Sequence, residues 1–182
     1  MKAILFFVLQ INFTTLFCQS FAFKIDTVVD DFTGNVTIGS QSLPFTDTSE
    51  ILNGNALGIR FFKTWDSYVI GLVVFSEELW LTTSDKWIYL KLTTGEVLKR
   101  PVAFQSSPKY TEILHWGYGW GSSIACVIMK ADYDVLSKTG IEKIRIEKGS
   151  GLEVIDFTVY SKSFQNNIMN MIDDFKNNVV NK

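Results

Sequence analysis

Short apolar runs with a repeat of two, each closed by a turn signal, govern what this chain can fold into. In Trp87 to Thr93, Ile88, Leu90 and Leu92 fall on one side, while Trp87, Tyr89, Lys91 and Thr93 fall on the other. Successive side chains of a strand point to opposite faces. The spacing therefore predicts a strand with one buried face and one partly exposed face. Ile141 to Lys148 repeats the pattern, with Ile144 and Ile146 opposite Lys143, Arg145 and Glu147. Tyr68 to Phe75 is nearly continuous in apolar residues and rich in Val and Ile, as in a strand covered on both faces. Val36-Thr37-Ile38, Ala56 to Lys63, Val97 to Phe104, Ser123 to Lys130 and Glu153 to Tyr160 read as further strands, and Leu79 to Phe104 as a meander.

Turn signals separate these runs at Asn53-Gly54-Asn55, Trp65-Asp66-Ser67, Ser84-Asp85-Lys86, Thr94-Gly95, Thr139-Gly140 and Gly149-Ser150-Gly151. Gly95 suits a tight hairpin because glycine accepts the positive φ that such turns demand. Asp132 to Leu136 reads as a single helical turn, and residues 105–122 as the longest irregular stretch. The chain's end changes period. Phe164, Ile168, Met171, Ile172, Phe175 and Val179 recur at three- and four-residue steps, the stripe of an amphipathic helix. Ser161 or Ser163 is its cap. The expected fold is mainly β: an antiparallel β-sandwich or open barrel with a C-terminal amphipathic α-helix packed on the sheet.

The N-terminus follows a different order. Lys2 supplies a positive charge, an apolar run extends from Ile4 to Phe17 with interruptions, and Ser20-Phe21-Ala22 resembles a small-x-small cleavage site. This is the order of a signal peptide over residues 1–22, leaving one domain over 23–182. Bulky Phe17 before Cys18 argues against lipidation. Removing the segment leaves Cys126 as the one cysteine, which excludes an internal disulfide in the mature chain. Cys126 sits in the apolar run Ile124-Ala125-Cys126-Val127-Ile128, where a thiol behaves as a small hydrophobe. No second run is long enough to span a bilayer. The expectation is a soluble protein that is secreted, periplasmic or on the cell surface. With 17 basic and 19 acidic side chains the net charge is −2, so the composition gives no electrostatic ground for nucleic acid as a partner.

Asp31-Phe32-Thr33-Gly34, Leu90-Lys91-Leu92 with Gly95-Glu96, and Ile141-Glu142-Lys143-Ile144-Arg145-Ile146 followed by an apolar C-terminal helix together resemble a group of small exported bacterial proteins. The likeness spans about residues 26–175. It implies a β-rich exported fold and carries no established activity, site or cofactor.

The stretch His115-Trp116-Gly117-Tyr118-Gly119-Trp120-Gly121 lies outside that pattern and is the candidate binding site. Extended, it places Trp116, Tyr118 and Trp120 on one face, where flat rings stack on sugars or anchor a protein. The alternative is that these rings cover one end of the core. Trp65, Trp80 and Trp87 fit strand faces or strand ends. His115, the single histidine, is the one imidazole base. Ser122 and Ser123 follow it closely, but no nucleophile-elbow pattern surrounds them. Asp132 and Asp134, and Asp30-Asp31 near Asp26, lack the remaining positions of a calcium loop. No phosphate or dinucleotide cradle is present. The sequence thus points to a non-catalytic binding or accessory module without cofactor or metal, contacting glycan or protein through His115, Trp116, Tyr118 and Trp120. The alternatives are a small secreted hydrolase using His115 and a structural component of a surface assembly.

Overall fold

The computed structural model describes residues 24–29, 35–46, 55–65, 67–79, 81–112, 118–149 and 153–181. Among them eleven strands form one antiparallel sheet that does not close. The strands are β1 (Ile25–Val29), β2 (Val36–Ser40), β3 (Leu43–Pro44), β4 (Asn55–Thr64), β5 (Ser67–Ser76), β6 (Trp87–Leu92), β7 (Val97–Gln105), β8 (Lys109–Glu112), β9 (Tyr118–Ile128), β10 (Ile141–Glu147) and β11 (Val154–Thr158). Helix α1 (Lys130–Thr139) joins β9 to β10, and α2 (Lys162–Phe175) ends the chain with a π-helical turn over Lys176–Val180. The sheet order is β1-β2-β4-β5-β9-β7-β6-β10-β11, with β3 on β4 and β8 on β9. This is the open form of the expected mainly β architecture, with the C-terminal helix in place.

The alternation read from the sequence sets the two faces. Ile88, Leu90 and Leu92 are buried, while Trp87, Tyr89 and Lys91 are half-buried on the outer side. Ile144 and Ile146 are buried opposite Arg145. The inner faces of β4, β5, β6, β7, β9, β10 and β11 meet α1 and α2 in one continuous apolar cluster. Ile168, Met171, Ile172 and Phe175 from the predicted stripe sit inside it. Phe175 stacks on Tyr133 of α1 at 5.8 Å between ring centroids, and Tyr133 also meets Phe61 and Tyr68. Ser161 caps α2 by accepting from the Phe164 N–H at 3.3 Å.

The two ends of the sheet approach each other. β2 and β3 share the same edge of β4, and Phe45, just past β3, accepts from the Tyr160 N–H, just past β11, at 3.1 Å. The sheet therefore curls around α2 and is tied across the gap by a backbone hydrogen bond.

Four features differ from the sequence reading. α1 is a ten-residue helix, not a single turn, because Asp132 turns inward to a partner instead of marking a polar face. Residues 109–112 and 118–121 pair as a hairpin inside the stretch expected to be irregular, so β9 begins five residues earlier than read. Residues 79 and 81–83 carry no strand, and the meander begins at Trp87. Finally, β1 precedes the first strand read.

Gly95 and Gly140 hold the turns expected of them, at φ of 88° and 69°. α1 is anchored at its start by Asp132, whose Oδ2 accepts from the Met129 N–H at 2.8 Å.

Candidate functional site

The aromatic glycine stretch is built on the β8–β9 hairpin. His115 and Trp116 lie outside the described residues. Tyr118 opens β9, with its backbone in register with Glu112. Trp120 lies opposite Tyr110, and the rings meet edge to face at 5.4 Å and 63°. Such cross-strand aromatic contacts add roughly 0.5–1.5 kcal/mol beyond their burial. Trp120 is half-buried, whereas Tyr110 is 61% exposed. Trp120 shares its strand face with Ile124 and Cys126, so it continues the inner face past the end of the helix-covered core. Gly119 and Gly121 flank it without side chains of their own.

The opposite face of the hairpin is of mixed character. A groove of about 430 Å³ runs along Val73, Phe75, Ser106, Lys109, Gly121 and Ser123. Ser122, from the inner side, accepts from Gln105 Nε2 at 3.0 Å and donates to the Ser106 carbonyl at 3.2 Å. The Ser123 N–H donates to Ser106 Oγ at 2.9 Å. Of the two serines named in the sequence reading, Ser122 is held through its hydroxyl and Ser123 through its backbone.

The other named residues separate. Asp132 is buried against Arg100 of β7, with Nη2–Oδ1 at 2.6 Å and Nε–Oδ2 at 3.1 Å. Asp134 instead faces solvent and pairs with Lys176 at 2.6 Å, which lowers its carboxyl pKa. The two acids do not converge. Among the described residues no group of three or more His, Cys, Asp and Glu side chains comes together. Trp65 stands at the β4–β5 turn, Trp87 opens β6, and Trp80 lies outside the described residues. Cys126 is fully buried between Ile70 and Val102 on the neighbouring strands, and burial pushes its thiol up to about 12. Tyr133 is also fully buried; its hydroxyl has no partner among the described residues, and burial raises its pKa.

A second surface was not assembled by sequence reading. It lies on the outer face of β7, β6, β10 and β11, where the register aligns Lys99, Tyr89, Arg145 and Asp156 in one row across four strands. The adjacent row is Val97, Lys91, Lys143 and Thr158. The outward positions of β6 and β10 were legible; their juxtaposition with β7 was not, because pairing between distant strands leaves no local signal. The Lys99 ammonium lies 4.2 Å from the Trp87 ring centroid and 5.3 Å from that of Tyr89. Tyr89 Oη donates to Glu147 Oε1 at 2.5 Å, and this bond raises the phenol pKa. Asp156 accepts from both Arg145, at 2.7 Å, and Lys143, at 2.7 Å. These bonds, Arg145 first, hold its carboxyl at about 2.

No protein-family model, curated protein or solved structure matches the chain.

Proposed function

We propose that the chain is an exported, non-catalytic binding module that contacts a glycan or a protein surface through its aromatic glycine-rich hairpin. The observation that carries this reading is the Tyr110–Trp120 pair, with one ring half-buried in the hairpin and the other 61% exposed beside it. A ring fixed by its neighbour loses little entropy on contact, which suits it to stack on a sugar face or fill a partner's pocket. Trp116 and Tyr118 belong to the same aromatic glycine-rich stretch of sequence. The N-terminal segment order and the resemblance to small exported bacterial β-rich proteins support export.

Tryptophan fluorescence titrated with neutral glucan, xylan and chitin oligomers tests the glycan form. Cross-linking to an envelope extract tests the protein form. A signal lost in Trp116→Ala and Trp120→Ala, with the fold retained, is the expected result. If both substitutions leave every signal intact, the hairpin is not the contact surface.

A further inference from the structure

The outer face of β6 and its neighbours has a chemistry of its own, separate from the aromatic hairpin. A groove of about 350 Å³ is lined by Tyr89, Lys91, Val97, Lys143 and Arg145. Lys99 stands in register beside Tyr89 on the β7 side. Four cations therefore surround one tyrosine in a chain whose net charge is −2. Compensation is incomplete. Glu142 pairs with Lys91 at 3.1 Å, Asp156 alone serves both Lys143 and Arg145, and Glu147 accepts from Tyr89 Oη, so three carboxylates stand against four cations. Among the described residues no carboxylate pairs with Lys99, which rests on the Trp87 and Tyr89 rings instead. Lys99 and Arg145 flank Tyr89 from the two adjacent strands, so their Cα positions are about 10 Å apart.

We propose that this face binds an anionic oligosaccharide, a chain of sugar rings carrying carboxylate or sulfate groups, with Lys91, Lys99, Lys143 and Arg145 as donors and Tyr89 with Val97 as the floor. The side-chain nitrogens lining the groove are all donors, which selects a ligand rich in acceptors. Their spacing over three strands suits charge repeated along a linear ligand better than a single small anion. The aromatic and aliphatic floor offers a flat apolar contact for sugar rings. An extended acidic peptide fits less well. It normally gains its main-chain hydrogen bonds from an open strand edge, and β6 is paired on both sides, by β7 and β10.

The test is calorimetric titration of the full chain with short oligogalacturonate and heparin fragments. Cellohexaose, poly-glutamate and phosphatidylglycerol vesicles serve as comparisons. Binding of either acidic saccharide is expected; oligogalacturonate reports carboxylate recognition, and heparin, which carries both groups, reports sulfate recognition where it binds and oligogalacturonate does not. It should vanish at about 1 M salt, where the Debye length falls to about 3 Å. The double variant Lys99→Gln, Arg145→Gln should bind about tenfold more weakly or worse, having lost two charge-assisted donors. Lys91→Gln, Lys143→Gln provides a second variant should the first unfold. Trp120→Ala should bind as the wild type does, which separates this site from the hairpin. Absence of acidic-saccharide binding, equal binding by folded variants, or equally tight binding of poly-glutamate or vesicles overturns the proposal.

Discussion

Arg100 and Asp132 form a nearly enclosed ion pair between β7 and the first turn of α1. The guanidinium reaches both carboxylate oxygens through Nη2 at 2.6 Å, and Arg100 Nη1 donates to the Lys99 carbonyl at 2.7 Å. Asp132 also accepts from the Met129 N–H, so one carboxylate ties the helix start to the strand. The side chains are 17% and 7% exposed. Removing one partner strands the other in an apolar wall. Asp132→Leu or Arg100→Met alone is expected to cost about 3–5 kcal/mol in urea unfolding. The double variant Arg100→Met, Asp132→Leu should recover part of that loss. Additive costs would show that the two groups act independently.

Gly140 ends α1 with φ 69° and ψ 170°, a conformation that side chains with a Cβ rarely adopt. A Cβ there would also lie 2.8 Å from Met169 Sδ on α2. Gly140→Ala is expected to destabilise the protein by about 1–3 kcal/mol. The midpoint of chemical unfolding measures this, and an unchanged midpoint would contradict it.

Phe175 is fully buried and stacked on Tyr133, so its ring is shared by both helices and the sheet. Phe175→Ala should cost about 3–5 kcal/mol, through lost transfer energy and the cavity left behind. Equilibrium denaturation reads the loss directly.

Cys126 combines full burial with a thiol held near 12. The nucleophile is the thiolate, so iodoacetamide at mildly alkaline pH should leave Cys126 unmodified in the folded protein. Mass spectrometry should find it alkylated once urea is added. Rapid modification of the native protein would mean that the strands around it open readily.

Asp156 has a carboxyl lowered from 3.8 to about 2 by Arg145 and Lys143. A depressed folded pKa stabilises above the unfolded value, and the contribution disappears as pH falls through the folded one. The stabilisation from this group is therefore complete above about pH 4 and is lost between about pH 4 and pH 2. Asp134, lowered by Lys176, adds to the same acid-side loss. Over that window the folding free energy of Asp156→Asn should fall less steeply than that of the wild type.

Local periodicity exposed a good share of this architecture. Ile88, Leu90 and Leu92 on β6, Ile144 and Ile146 on β10, and Ile168, Met171, Ile172 and Phe175 on α2 all face the core as their spacing requires. The hairpin at residues 109–121 was hidden because Gly119 and Gly121 interrupt apolar alternation without preventing strand pairing. The length of α1 was hidden because only Tyr133 and Leu136 give it an apolar stripe, and its third inward residue is charged. Of the candidate sites, the aromatic stretch was visible as composition. The cation-rich face was not, since Lys99 and Arg145 become neighbours only once β6 is flanked by both β7 and β10.

Helix α2 follows in sequence every strand that it covers. Ahead of that segment only α1, through Tyr133 and Leu136, lines the curled sheet, so the apolar cluster is completed by the last helix of the described chain.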